Sequence, residues 1–380
     1  MNAWLLVSGD FTPFGGMDTA NYALARYLAA RGEVHLVTHR AWHDLASQPT
    51  VTVHHVRRPL NWHFLGGALL ARAGRHLWQR LAPRGVRTLV NGGNCQIGAA
   101  SWVHYLHAAY VPHTAGSFVR RSKASLVYSR DLAAERAALL AAPLVICNSH
   151  RTRDDVVERV GVDPGRAHVV YYGSDPDRFS PAGAARRADA KGALGVSTAR
   201  PLVGFVGALG DRRKAFDTVF AAWTDLCRRA DWDADLLAAG AGAELPDWQR
   251  RAAAAGLADR IHFAGYRHDM PAVFAGLDAL VHPARYEAYG LSVHEALCCG
   301  VPAMVSAKAG VAEQYRSELS DLLIVDPDSA AELTERLVNW RRHAEAFESR
   351  LAPLSQRLRA RRWDVMSAEI AALVERAEAA

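Results

Sequence analysis

Glu287 and Glu295 stand eight residues apart in Arg285-Tyr-Glu-Ala-Tyr-Gly-Leu-Ser-Val-His-Glu295-Ala-Leu-Cys-Cys-Gly300-Val-Pro302. Two acids so placed suit acid–base work or the binding of hydroxyls. Leu280 to Pro283 reads as the end of a buried strand and Leu291 to Cys299 as a short helix. Gly300 stops that helix, Pro302 follows, and another strand begins at Val301. One carboxylate therefore hangs on a strand-to-helix loop while the other lies inside the helix. The first turn of a helix offers free N–H groups and the positive end of a dipole, so an anion fits against Tyr289, Gly290 and Leu291. Acids beside an anion site point to a ligand that carries both phosphate and hydroxyls.

The elements that hold these groups are legible as a pattern. Short apolar runs alternate with helical spacing along the whole chain, the signature of parallel sheets covered by helices. Strands are expected at 3–8, 33–38, 51–56, 88–91, 101–106, 144–148 and 168–172, with helices near 18–30 and 129–141. A second series starts at 201–206 and continues near 235–239, 261–263, 279–282, 303–306 and 322–325. Pro181 to Arg200, rich in Ala, Gly and Arg, reads as a linker with one helical segment. The expected fold is α/β, with two doubly wound Rossmann-like domains facing each other across a cleft. The N-terminal domain is expected over 1–180, the C-terminal domain over 201–359, and a last helix over 360–380. At 380 residues, two domains are also the expectation from size.

Composition narrows the partners. Half of the chain is apolar and 22% is charged, as in ordinary globular proteins. No run approaches the roughly 18 apolar residues of a membrane span, and Met1 to Gly9 lacks the basic start and long apolar stretch of a signal peptide. The expected location is cytoplasmic, with peripheral contact at the inner face of the membrane. Five cysteines, with no Cys-x-x-Cys, read as buried small hydrophobes. Net charge is 45 − 39 = +6, unevenly spread. Arg57 to Arg87 holds seven arginines and no acid, around Leu65, Leu69, Ala73, Leu77 and Leu81 at helical spacing. This reads equally as a helix on an anionic membrane or as a domain helix with a basic outer face. A second basic loop, Val119 to Lys123, tilts the balance toward an acidic or membrane partner. Nucleic acid is not expected, because no aromatic platform is interleaved with these charges.

Tyr-Gly-Leu at 289–291, Glu-Ala-Leu at 295–297 and Gly-Val-Pro at 300–302 together resemble the Glu-x7-Glu motif of retaining nucleotide-sugar glycosyltransferases with the GT-B fold, family 4 in particular. By that resemblance Glu295 holds ribose hydroxyls, two of which one carboxylate can accept, and Glu287 contacts hydroxyls of the donor sugar. The Gly15-Gly16 turn ahead of the first helix is similar to the family turn that meets the donor diphosphate. It is not the dinucleotide fingerprint, since Gly-x-Gly-x-x-Gly is absent. In Val206-Gly-Ala-Leu-Gly-Asp-Arg-Arg-Lys-Ala-Phe-Asp217, Lys214 matches the family lysine, while Ala208 stands where the family has arginine and Ala215 where it has glycine. Arg212 or Arg213 then supplies the missing charge toward the leaving diphosphate. Gly265 and Tyr266, in Phe263 to Arg267, resemble the segment that contacts the base through backbone groups. Gly240-Ala-Gly242 resembles a family turn, and Cys147 to Arg153 and Tyr172 to Pro181 resemble architectural segments.

The family also places a histidine near the sugar. Trp102-Val-His104-Tyr-Leu-His107 offers two, and His107 is preferred because it lies nearer the carboxyl end of the strand. His104 reads equally as structural. The resemblance thus implies a catalytic set of Glu287, His107 and Lys214. It implies donor contacts from Gly15, Gly16, Arg212, Arg213, Lys214, Gly265, Tyr266, Tyr289, Gly290, Leu291 and Glu295. The expected reaction is a metal-independent, hexosyltransferase-type transfer from a nucleoside-diphosphate sugar to a lipid-linked, cell-envelope or small-molecule acceptor. No cofactor is expected beside that co-substrate. A double-displacement hydrolase needs carboxylates about 5 Å apart. With the glutamates assigned to hydroxyls, a front-face reaction remains, in which the departing diphosphate assists deprotonation of the acceptor. Asp175-Pro-Asp177, Asp231-Trp-Asp233 and Asp326-Pro-Asp328 match Asp-x-Asp, but their contexts read as turns and a loop, so no metal site is expected. The alternatives are a nucleotide-sugar epimerase on the same scaffold and a binding protein in which Ala208 marks a decayed site.

Overall fold

The computed structural model describes residues 3–59, 63–112, 118–210 and 212–379. It falls into two units, residues 1–173 with 361–380, and residues 174–360. The segment expected to be a linker lies inside the second unit. Its helix Ala184–Ala193 packs on helix Met270–Gly276 and buries Ala190 and Lys191. The Lys191 ammonium is held by Asp278 at 2.7 Å and by the Arg200 carbonyl at 2.9 Å.

The first unit is built on β1 (Ala3–Val7), β2 (Asp10–Phe11), β3 (Glu33–Thr38), β4 (Arg40–Ala41), β5 (Val51–His55), β6 (Arg87–Asn91), β7 (Ala100–Val103), β8 (Val145–Cys147) and β9 (Ala167–Val169). Seven of them form a parallel sheet in the order β5-β3-β1-β6-β7-β8-β9, and β2 pairs with β4 apart from it. Every residue of β1 is buried, as expected of a parallel strand covered on both faces. The order reverses between β1 and β6, so the loops after these two strands open a crevice at their carboxyl ends. The helix Trp363–Ala379 packs against the first helix, Gly16–Ala29, within this unit.

The second unit carries β10 (Leu202–Val206), β11 (Asp235–Ala239), β12 (Ile261–Gly265), β13 (Ala279–His282), β14 (Ala303–Ser306) and β15 (Leu323–Ile324), in the parallel order β12-β11-β10-β13-β14-β15. Its order reverses between β10 and β13. The Gly240-Ala-Gly242 turn is small for a steric reason. A Cβ at Gly240 would lie 1.8 Å from the Gly207 carbonyl oxygen, and one at Gly242 1.7 Å from that of Leu209. The loops after β10 and β11 can therefore touch backbone to backbone only with glycine there.

Several expectations are corrected. The strand expected over 101–106 stops at Val103, because β8 supplies only Val145–Cys147 to pair with 101–103. The strand expected over 168–172 is Ala167–Val169. The expected basic loop at 119–123 is part of a helix, Phe118–Ala141, which begins eleven residues before the helix expected from 129. The side chains of Val119, Arg120, Arg121 and Lys123 lie outside the described residues. In the basic stretch, helix His63–Leu81 buries Leu70, Leu77 and Leu81 while Leu65 and Leu69 face solvent. The five cysteines are free thiols, all buried except the half-buried Cys227.

Candidate functional site

Two loops meet where the order of the second sheet reverses. The loop after β10 winds into a short 3-10 turn, Arg212–Lys214, before helix Phe216–Cys227. The loop after β13 carries Glu287 and ends at helix Leu291–Cys298. Lys214 Nζ pairs with Glu287 Oε2, and His282, the last residue of β13, donates from Nε2 to the same oxygen at 3.0 Å. His282 is fully buried, and its Nδ1 has no hydrogen-bond partner. Burial alone would raise the carboxyl pKa of Glu287. The Lys214 charge, the His282 hydrogen bond and the Arg213 charge outweigh it and hold the group well below the usual carboxylate range. Burial and Lys214 together push His282 down. The arrangement is therefore an ammonium, a carboxylate and a neutral imidazole.

The backbone holds this loop in place. Gly310 N–H donates to the Glu287 carbonyl at 3.1 Å and Val311 N–H to that of Tyr289 at 2.7 Å. Arg285 N–H donates to the Arg213 carbonyl at 2.8 Å, which ties the two loops together. The arginines part company. Arg212 pairs with Asp217 at 3.2 Å and is half exposed, whereas Arg213 reaches the Tyr286 carbonyl at 3.4 Å and its charge acts on Glu287.

Ala215 is the one residue other than glycine with positive φ among those described, at φ 56 and ψ 40. An L-residue there costs about 1–2 kcal/mol. Its buried methyl returns about 0.8 kcal/mol, and its narrower unfolded ensemble about 0.4–1 kcal/mol relative to glycine. These contributions nearly cancel, which explains how alanine serves where the resembling family has glycine.

Helix Leu291–Cys298 starts at Gly290, φ 106, with no side-chain cap. Val293 N–H donates to the Gly290 carbonyl at 3.1 Å, so the amides ahead of it are the ones left for another acceptor. Of the residues expected there, Gly290 and Leu291 contribute backbone, whereas the Tyr289 side chain is turned inward and hydrogen-bonds His294 Nδ1 at 2.7 Å. One helical turn on, Glu295 is partly buried. Burial drives its carboxyl up to about 8 against the charge of Arg178. Gly265, φ 64, closes β12, and Tyr266 beyond it is 59% exposed, edge-on to His268.

In the first unit, Gly15 (φ 85) starts helix Gly16–Ala29, again with no side-chain cap. Asp18 in the first turn is pushed up to about 7 by burial and by Asp10, against Arg40 and Arg58. His104 and His107 are separated by their surroundings. His104 lies past the end of β7, its ring tilted against that of Trp102 with centroids 4.2 Å apart and hydrogen-bonded through Nδ1 to the Tyr172 hydroxyl. Burial lowers its pKa to about 3, so it stays neutral. His107 instead lines a cavity of about 420 Å³ together with Asp10, Asp18, Arg58 and Glu135, at the carboxyl ends of β1 and β6. Asp18, Glu135 and His282 were missed in the sequence. His282 had one available signal, its place at the carboxyl end of the strand that leads to Glu287.

Among the described residues no group of three or more His, Cys, Asp or Glu side chains is placed to hold a metal ion. Asp231 pairs with Arg229, Asp233 with Arg341 and Asp328 with Arg285. Asp175 accepts backbone N–H bonds in its own turn.

Known proteins resemble this chain in sequence and in fold. The sequence model described as glycosyl transferases group 1 matches residues 200–342, and that of glycosyltransferase family 4 matches residues 14–178. A D-inositol 3-phosphate glycosyltransferase of Salinispora tropica is 28% identical over 347 residues, 83% of this chain and 72% of that protein. The crystal structure of WaaG, a glycosyltransferase involved in lipopolysaccharide biosynthesis, superposes with a TM-score of 0.75 at 19% identity, over 98% of this chain and 99% of that one. Anabaena Alr3699/HepE, solved in complex with UDP and glucose, gives 0.73 at 18% identity over 99% of both chains. At such identities the structural likeness speaks to the fold.

Proposed function

Because the chain belongs to glycosyltransferase family 4 and has the GT-B fold, we propose that it moves a hexose from a nucleoside-diphosphate sugar to an acceptor hydroxyl, with retention and without a metal. The observation that carries this reading is the Lys214–Glu287–His282 cluster at the reversal of the second sheet, next to an uncapped helix start. An open α/β sheet binds ligands at such a reversal. In the proposed reaction the bond from the anomeric carbon to the diphosphate breaks as the bond to the acceptor oxygen forms on the same face. The acceptor's proton passes to the departing diphosphate. Lys214, Arg213 and the amides of Gly290 and Leu291 stabilise the charge on that leaving group. Glu287, kept ionised, accepts from sugar hydroxyls, and Glu295 from the ribose. The roles of Gly15, Gly16, Gly265 and Tyr266 rest on the family pattern. Related proteins act on inositol phosphate and in lipopolysaccharide assembly, and a lipid-linked or cell-envelope acceptor is proposed here on that footing.

Incubation with a panel of nucleotide sugars tests the reaction. Nucleoside diphosphate with a glycosylated product of unchanged anomeric configuration is expected, and activity is expected to survive a chelator. A new sugar isomer without acceptor dependence means epimerisation instead. Donor binding with no turnover toward any acceptor means a binding protein.

Membrane contact is proposed for helix His63–Leu81. No helix among the described residues is long and apolar enough to cross a bilayer. Leu65 and Leu69 are exposed and continue along one face into Arg72, His76 and Arg80, a stripe suited to an anionic interface. Partitioning onto vesicles that contain phosphatidylglycerol is expected to weaken as salt rises. It should fall about tenfold or more in the Arg72→Glu, Arg80→Glu double variant, at about 1 kcal/mol per basic residue. Equal partitioning of the variant and the native protein rules this helix out.

A further inference from the structure

Glu135 is only 2% exposed, yet it carries a carboxylate that the proposed reaction does not use. It sits on helix Phe118–Ala141 and faces the turn that follows β7. Its Oε2 accepts the backbone N–H of His107 at 2.9 Å and that of Ala108 at 3.3 Å. Its Oε1 takes the Nδ1 of the His107 ring at 2.9 Å. From the same helix Tyr128 donates its hydroxyl to the His107 carbonyl at 2.9 Å. The loop after β6 presses on this helix from behind, since a Cβ at Gly93 would lie 2.9 Å from the Glu135 Cα. Taking a carboxylate out of water is costly unless donors replace the water, and here three N–H groups do so, all from His107 and its neighbour. The ring and backbone of one histidine are thus fixed by one buried acid.

A carboxylate only accepts, so Nδ1 must carry a proton in both charge states of the ring, and Nε2 is the atom that titrates. His107 borders the cavity of about 420 Å³, which leaves Nε2 as the ring atom that can meet a ligand. We infer that Glu135 is a positioning residue: it locks His107 in the Nδ1–H tautomer and presents Nε2 to the cavity as the acceptor for a substrate hydroxyl. The identity of that substrate rests on the glycosyl-transfer reading above, while the tautomer does not.

The charges around the ring set the direction of its pH dependence. Asp131 acts on it from the helix of Glu135 and Tyr105 packs edge-on to it at 5.1 Å, while Arg130, Asp10, Asp18, Arg58 and His39 line the same cavity. Burial disfavours the charged ring, but the hydrogen bond and charge of Glu135, with Asp131, outweigh it and raise its pKa. The working form has Nε2 unprotonated, so activity should rise with pH through a midpoint above the ordinary histidine value of about 6.5. Loss of the Glu135 charge should move that midpoint down.

The test uses the full chain labelled with 15N in histidine, with His107 signals assigned by their loss in His107→Asn. At about pH 9 the native protein is expected to show Nδ1 protonated and Nε2 bare, and the opposite tautomer overturns the inference. In Glu135→Gln the His107 midpoint should fall by about one pH unit or more. The acid limb of kcat should move with it at unchanged donor KM, whereas Glu135→Asp, which keeps the charge, should restore the raised midpoint. A midpoint or kcat profile that stays in place in Glu135→Gln overturns the positioning role. If Glu135→Gln does not fold, the tautomer of the native ring decides. These spectra are taken without donor. Normal tautomer and midpoint with no transfer from any nucleotide sugar therefore overturn the substrate contact and the glycosyl-transfer reading together, and leave the histidine clamp standing.

Discussion

Replacing Lys214 with alanine is expected to lower turnover by about 10²-fold or more, the loss typical when a group that stabilises transition-state charge is removed. The ammonium has two roles in this structure. It faces the proposed leaving group at the end of β10, and it is the largest influence that keeps Glu287 ionised against burial. Its removal therefore takes away a positive charge and leaves a carboxylate that is 12% exposed beside a neutral imidazole. Breaking such a pair on one side is destabilising, by up to about 3 kcal/mol in this partly open setting. The two effects separate in a double variant. Lys214→Ala with Glu287→Gln should recover most of the stability, because no unpaired charge remains, and none of the turnover. Single-turnover rates beside denaturant melts of the two variants give the answer. Full recovery of rate in the double variant would trace the loss to the unpaired Glu287 carboxylate, would leave neither side chain a part in turnover, and would move leaving-group stabilisation to Arg213 and the helix start.

Much of this site was legible in one dimension because its parts are local. Glu287, Gly290 and Glu295 lie on one strand–loop–helix unit, and the glycine at the helix start and the one after its end can be recognised without tertiary information. The parallel sheets were legible for a similar reason, since strands buried on both faces, such as β1 and β8, are continuous apolar runs. Partners brought together by topology were not legible. Lys214 and Glu287 are 73 residues apart in the chain, and His107 and Glu135 are 28 apart, with Glu135 on a helix whose start was misplaced. An isolated buried glutamate has no pattern that distinguishes it from a surface one until the fold supplies its donors. His104 and His107 likewise share a strand's periodicity but differ in surroundings, because β8 stops pairing at residue 103 and the chain turns there. The apolar stripe in helix His63–Leu81 was half right for the same reason. Leu77 and Leu81 fit both the spacing and the buried face, but the packing against β1 rotates the face so that Leu70 enters and Leu65 and Leu69 do not.

Glu295 yields the second large effect, on donor binding. Its carboxyl is held up at about 8, so near neutral pH most molecules carry the neutral acid. An ionised carboxylate accepts hydrogen bonds from both hydroxyls of a ribose, whereas the neutral acid must spend one oxygen as a donor. If the nucleotide selects the ionised form, its dissociation constant should weaken about tenfold per pH unit below pH 8 and level off above it, by linkage. Glu295→Gln removes this titration. Its donor affinity should be weaker than that of the native protein at pH 8.5 by about tenfold or more, a typical loss for a charged hydrogen-bond acceptor, and should no longer vary over this range. Stability should move the other way. A carboxyl whose pKa is raised on folding favours the folded state least above its native pKa, where it must be ionised in the buried site as well as in the unfolded chain. Its stabilising contribution is therefore present below the unfolded pKa near 4.5 and is lost as pH rises toward 8. Glu295→Gln should accordingly melt higher than the native protein at pH 8 and alongside it below pH 4.5, while binding donor more weakly. Calorimetric titration with the nucleotide sugar identified by the panel, paired with melts at both pH values, reads the two effects on one pair of proteins. Donor affinity that is unchanged in Glu295→Gln would sink the ribose role even if the stability gain appears, because the gain follows from burial alone.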